Sequence, residues 1–263
     1  MRRGQRPPLA GVLFAALTLA GCGLKDRPVP PGTLAPRPVT DLAATAVPEG
    51  LELTWSPPTR DVRGHALLHV ESFDLYRAEL PPDGCEGCPP AFTAPVSLPY
   101  GRRPRPGDKV RHLDRDVAPG HRYVYEVRVV KGWRTASAPS NRLVAAWHPP
   151  PGPPAGLAAE RRERLVRLSW RRPERWADGR PIDPGTQLAY LVERRAEAEG
   201  AWIRLAGPRP GTAFLDRAVR AGRAYRYRVR AVFTFQGTPA VGPPSPEAAA
   251  VPEIRLPLPA PRR

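Results

Sequence analysis

The chain repeats itself. Displaced by 115 residues, Pro38, Leu42, Ala43, Ala44, Leu53, Trp55 and Pro58 fall on Pro153, Leu157, Ala158, Ala159, Leu168, Trp170 and Pro173, seven identities within 21 positions. Displaced by 102, Leu113, Asp114, Arg115, Val117, Gly120, Tyr123, Tyr125, Val127, Arg128 and Val130 meet identical residues from Leu215 to Val232, ten within 18. The displacement shrinks by 13, so the first copy carries that many extra residues between the blocks, a stretch that contains Cys85 and Cys88. A 263-residue chain built this way is expected to form two units, 38–147 and 153–252, joined by a Pro-rich linker at 148–152.

Within each copy the apolar residues alternate, as in Leu51, Leu53, Trp55 and in Tyr225, Tyr227, Val229, Ala231. Period two predicts half-buried strands. With 38 Pro and 23 Gly in the chain, long helices are excluded. Candidate strands lie near 39–46, 51–55, 70–77, 110–113, 123–130 and 142–146. In the second copy they lie near 155–159, 165–170, 188–195, 201–205, 212–215, 225–233 and 247–251. Six or seven short strands per unit predict an all-β fold of two tandem β-sandwiches.

The order of motifs in both copies resembles fibronectin type III domains, an immunoglobulin-like fold. The first copy shows Pro38-Val39-Thr40-Asp41-Leu42, Leu53-Thr54-Trp55, Phe73-Asp74-Leu75-Tyr76-Arg77, then Leu113-Asp114 leading to Gly120, Tyr123, Tyr125 and Val127. The second shows Pro153-Pro154-Ala155-Gly156-Leu157, Leu168-Ser169-Trp170, Tyr190-Leu191-Val192-Glu193-Arg194, then Leu215-Asp216 leading to Gly222, Tyr225, Tyr227 and Val229. The resemblance implies that Trp55 and Trp170 are core residues of the second strand of each sandwich. It also implies that Tyr123 and Tyr225 stand at a corner where the hydroxyl satisfies a backbone group.

Ahead of the repeats, Arg2, Arg3 and Arg6 precede a 12-residue uncharged stretch, Leu9 to Ala20, that ends in small residues before Cys22. This is the layout of an export signal, residues 1–21, and the stretch is too short to span a bilayer as a helix. Leu19-Ala20-Gly21-Cys22 resembles the lipobox of bacterial lipoproteins, which implies cleavage before Cys22 and acylation, with palmitate among the usual chains, of its sulfur and new amine. Gly23 in the next position implies an outer-membrane lipoprotein, facing the periplasm. Residues 22–37 form a tether with Pro28, Pro30, Pro31 and Pro36, and 253–263 a Pro-rich tail.

Three Cys in an exported chain leave Cys85 and Cys88 as a pair once Cys22 is lipidated. A structural disulfide across a tight turn is the preferred reading, with a redox or metal role as alternatives. Of the five His, only His65 and His69 stand close together, in a stretch that reads as a loop, so a solvated loop is preferred over a metal site. No nucleophile setting, carboxylate pair or phosphate loop is present, so an enzyme is not expected, and no metal or cofactor is implied.

Charge is unevenly shared. Residues 38–147 hold 14 basic and 13 acidic side chains, whereas 153–252 hold 18 basic and 10 acidic. Because Tyr225, Tyr227 and Val229 face inward, Arg226, Arg228 and Arg230 are expected to project outward as a ladder. The family topology sets Glu193 and Arg195 beside it, so that one carboxylate is shared among several guanidiniums. Such an unneutralised patch suits phosphate or carboxylate groups, and Trp133 is a further candidate binding residue. The plain alternative is a solvated face in a chain that uses 38 Arg and only three Lys. Trp176 is expected near the junction between the units.

The start Cys22-Gly23-Leu24-Lys25 is similar to that of LptM-type lipoproteins that assist the lipopolysaccharide translocon, and the likeness departs at Asp26. The expectation is a non-enzymatic, lipid-anchored cell-envelope protein that binds a protein partner. Binding of an anionic glycan or lipopolysaccharide, or a structural spacer, are the alternatives. Nucleic acid is disfavoured by compartment.

Overall fold

In a computed structural model, the described residues are 34–80, 89–132, 135–162, 165–196, 200–220 and 222–250. Export signal, Cys22, tether residues 22–33, Cys85, Cys88, Trp133 and tail lie outside them. Residues 34–37, expected as the end of the tether, instead pack on the first sandwich, with Ala35 buried, Pro36 bridged to Asp61 and the Arg37 N–H donating to the Arg60 carbonyl at 3.1 Å. The first repeat runs through β1 (Ala43–Val47), β2 (Gly50–Trp55), β3 (Val70–Leu80), β4 (Val96–Arg102), β5 (Val110–Asp114), β6 (Arg122–Gly132), β7 (Thr135–Ala136) and β8 (Leu143–Ala146). The second runs through β9 (Ala155–Arg162), β10 (Leu165–Arg171), β11 (Ala189–Ala196), β12 (Ile203–Arg209), β13 (Ala213–Asp216), β14 (Tyr225–Phe235), β15 (Thr238–Pro244) and β16 (Ala248–Ala250).

In the first sandwich β1-β2-β5 pack on β4-β3-β6, with β7 and β8 added to β6. In the second, β9-β10-β13 pack on β12-β11-β14, with β15 and β16 added to β14. The fold is all-β, two immunoglobulin-like sandwiches with the sheet composition of fibronectin type III domains. Alternation writes each core: Leu51, Leu53 and Trp55 from β2 meet Phe73, Leu75, Tyr125 and Val127, and Leu168 and Trp170 from β10 meet Tyr190, Val192, Tyr227 and Val229. Both Trp rings contact an aromatic edge, Trp55 on Phe73 at 5.5 Å and Trp170 on Tyr190 at 5.4 Å.

At the corner, the Ala118 N–H donates to the Tyr123 hydroxyl at 2.9 Å, and the Arg220 N–H to the Tyr225 hydroxyl at 3.1 Å. Below each corner lies a buried network with no counterpart in the sequence reading. The Tyr125 hydroxyl donates to Asp114 at 2.7 Å and Arg77 stands 3.0 Å from the same carboxylate. The Tyr227 hydroxyl donates to Asp216 at 2.9 Å, and Arg194 stands 2.8 Å away. Burial first, and the adjoining carboxylate second, push the Tyr125 phenol far above its ordinary range; the same two causes act on Tyr227.

Three strands escape the sequence reading: β4, β15 and the two-residue β7. Strands β4 and β15 contain Pro99 and Pro239, Pro243 and Pro244, which argue locally against strand structure. Strand β4 is an edge, where a missing N–H costs no ladder bond. Strand β15 belongs to a hairpin that overshoots its own sandwich. It pairs antiparallel with β14 and parallel with β1, Ala240 opposite Ala46, so the two sandwiches share one eight-stranded sheet. Ala240 is fully buried in the first core.

The junction is closed by further contacts. The Ala146 N–H donates to the Thr238 hydroxyl at 2.9 Å, and the Trp147 indole N–H to the Val47 carbonyl at 3.1 Å. His148 lies among Trp176, Phe233 and Phe235, at ring distances of 4.5, 5.3 and 5.0 Å. The Pro-rich segment 148–152 is no free spacer. Pro149, Pro150 and Pro151 are buried, and Pro151 bridges to Trp176.

Candidate functional site

Strand β14 alternates as its sequence requires: Tyr225, Tyr227 and Val229 are buried, while Arg226, Arg228 and Arg230 lie on the outer face. On β11, Arg195 stands opposite Arg226 and Glu193 opposite Arg228; on β12, Arg204 stands opposite Glu193. The Glu193 carboxylate accepts from Arg228 Nε at 2.5 Å and from Arg230 Nε at 3.4 Å. Trp202 lies beneath two guanidiniums, Arg228 at 4.2 Å and Arg195 at 4.9 Å from its ring centre.

The expectation of one carboxylate for the whole ladder is corrected here. Glu247 is a second one, accepting from Arg195 Nη2 at 3.1 and 3.2 Å and lying 3.5 Å from Arg226 Nη1. It arrives because the chain leaves β15, turns at Pro246 and re-enters beside β14 as β16, with Ala249 opposite Arg226. The sequence predicts a strand near 247–251, but its register against β14, which sets Glu247 beside Arg195 and Arg226, has no local signature. The ladder is therefore largely compensated by its neighbours rather than bare.

Fusion of the sheets makes a concave site that neither sandwich has alone. A groove of about 760 Å³ runs across the outer face of the eight-stranded sheet. One wall is Thr45, Glu52, Thr54 and Arg111 of the first sandwich; the other is Glu193, Arg204, Arg228 and Arg230 of the second; Val241, Gly242 and Pro243 of β15 lie between. Arg111 pairs with Glu52 at 2.8 Å, Lys109 with Asp41 at 2.8 Å, and Arg230 Nη1 donates to the Gly242 carbonyl at 3.2 Å. Arg204 makes no hydrogen bond or ion pair among the described residues. The groove thus alternates in sign, and its charged groups sit on paired strands whose spacing is set by the backbone ladder.

His65 and His69 gather no ligand set, and among the described residues no group of three His, Cys, Asp or Glu could hold a metal. His65 instead faces Asp61, with Nδ1 3.3 Å from the carboxylate. Asp61 is a loop-capping carboxylate. Burial raises its pKa, but the backbone N–H of His65, the His65 ring and the backbone N–H of Arg63 outweigh that and hold it below the ordinary value.

No family model matches the chain. Among solved structures, the chain is similar to the crystal structure of chicken CNTN1 FN1-FN3 domains, with 16% identity over 84% of this chain and 69% of that one, at a TM-score of 0.42.

Proposed function

We propose that this chain is a non-enzymatic protein of the cell envelope, anchored to a membrane by lipid on Cys22, that binds a protein partner in the groove across its fused sheet. The observation that carries the reading is the groove itself, about 760 Å³ and shared between the two sandwiches. Its lining of both signs favours a protein surface over a polyanion, because a polyanion running along it would meet Glu49, Glu52 and Glu193. The shared sheet supports it further, since a site held by backbone pairing between sandwiches loses little entropy on binding.

The test uses the full chain in its native envelope, with a photo-crosslinking amino acid at Thr54 in the groove wall. One defined protein adduct is expected. Arg204→Glu, at an exposed side chain with no hydrogen bond or ion pair among the described residues, is expected to remove that adduct without changing folding. Absence of any adduct, or an adduct indifferent to Arg204→Glu, overturns the groove. Mass spectrometry of the peptide beginning at Cys22 tests the anchor separately, and an unmodified thiol there overturns it.

A further inference from the structure

Further arginines of the second sandwich lie between β12 at the edge of the shared sheet and β10 and β13 of the other sheet. Arg167 on β10, Arg209 ending β12 and Arg217 following β13 surround a hollow of about 560 Å³, whose other lining residues are Ala213, Phe214 and Leu215. No carboxylate lines it. Among the described residues none of the three guanidiniums has a hydrogen bond or ion pair, and Arg209 rests only on the Phe214 ring at 5.3 Å.

The first sandwich provides an internal comparison. Arg167 and Ala213 occupy the repeat positions of Glu52 and Arg111, which pair at 2.8 Å across β2 and β5. In the second sandwich the strands keep the same register, Arg167 opposite Leu215 as Glu52 is opposite Leu113, but the acid has become a base and its partner has been truncated. Glu160, at the repeat position of Thr45, stands opposite Arg167 on the β9 side. In this repeat the acid therefore lies on the other neighbouring strand, and the β13 side is lined by Arg167, Arg209 and Arg217 without a carboxylate.

Guanidinium forks match the oxygens of a phosphate group, and three of them line this hollow. The hollow also offers apolar surface: Leu215 is 44% exposed, and the Phe214 ring forms part of the lining. Inorganic phosphate would leave that surface bare. An extended acidic peptide would space its carboxylates about 7 Å apart along one face and bring no acyl chain to Phe214 and Leu215.

We infer that this hollow binds the phosphomonoester headgroup of an amphiphilic lipid, with the phosphate among Arg167, Arg209 and Arg217 and the first methylenes on Phe214 and Leu215. The site is separate from the groove, and the inference stands or falls independently of the protein partner and of the anchor.

Calorimetric titration of the full chain tests it, with four probes: monomeric dihexanoyl phosphatidic acid, inorganic phosphate, dihexanoyl phosphatidylcholine and an Asp/Glu peptide. One saturable site is expected for the phosphatidic acid, at least about tenfold tighter than inorganic phosphate because methylenes are buried with it. The choline lipid is expected not to bind. The double substitution Arg167→Glu with Ala213→Arg, which installs the ion pair of the first sandwich, is expected to abolish binding while leaving the circular dichroism spectrum unchanged. If that variant misfolds, Arg217→Gln, at an exposed side chain, is expected to weaken binding at least about tenfold. Equal affinity for inorganic phosphate, displacement of the lipid by the peptide, or binding that survives the substitutions overturns the inference.

Discussion

Ala46 and Ala240 lie opposite one another in parallel register, although the first belongs to the opening strand of the first sandwich and the second to the last hairpin of the second. The pairing turns the β15 edge of one sheet into the neighbour of another. It explains why the groove spans both repeats and why Ala240 is part of the first core.

The hairpin contact sets the cooperativity of the molecule. A Cβ on Gly242 would meet the Pro151 carbonyl oxygen at 2.1 Å, so Gly242→Ala has to lift the hairpin from the linker. Thr238→Val leaves the buried Ala146 N–H without its acceptor, at a cost of about 1–3 kcal/mol. Scanning calorimetry is expected to show one transition for the unmodified chain and two for Gly242→Ala. A single unchanged transition in the variant means the sandwiches are not coupled through this hairpin.

Asp216 and Asp114 hold equivalent buried networks of unequal depth. Removing either leaves a guanidinium and a phenol without their acceptor. Arg194 is only 12% exposed, whereas Arg77 is 26% exposed and also lies 3.5 Å from Asp116. Urea denaturation is therefore expected to show a loss of about 3 kcal/mol for Asp216→Ala and a smaller one for Asp114→Ala. Equal losses would show that exposure does not govern the difference.

Tyr100 is one of several tyrosines whose burial ties stability to high pH. Burial first, then the hydrogen bond to Asp108 at 2.8 Å, push its phenol up to about 12 from an ordinary 10.0. A raised pKa means the folded state favours the protonated form, so this contribution is complete below pH 10 and lost as pH rises through about 12. Tyr125 and Tyr227, raised further, are expected to ionise only as the chain unfolds. Tyrosinate absorbance and stability against pH check both points: Tyr100→Phe is expected to flatten the fall in stability between pH 10 and 12. An identical fall in the variant rejects the assignment.

Glu193 is the charge that keeps Arg228 and Arg230 together. Glu193→Gln is expected to cost about 1 kcal/mol, since the pair is partly solvated, and to unmask positive charge on the ladder. The variant is expected to elute from an anionic resin at higher salt than the unmodified chain. Elution at the same salt would mean the ladder is not compensated by Glu193.

Much of this architecture is readable along the chain because it depends on local rules. Alternation in Tyr225 to Ala231 sets which side chains go inward wherever the strand is placed, and the repeated Trp and Tyr positions mark core and corner in both copies. The arginine ladder follows from the same alternation. Strands β4 and β15 were missed because Pro99, Pro239, Pro243 and Pro244 are poor strand residues by local preference, and only an edge or a partly paired hairpin tolerates them.

What sequence alone determined is therefore the number of sandwiches, the faces of their strands and the excess of arginine in the second. Tertiary structure decided how those charges are used: it brought Glu247 to Arg195 and Arg226, opened a groove between the repeats, and left Arg167, Arg209 and Arg217 around an unpaired hollow. The physical reason is range. Side-chain alternation is set by neighbouring residues, whereas the meeting of Ala46 with Ala240 or of Arg195 with Glu247 depends on register between distant segments, which no local pattern encodes.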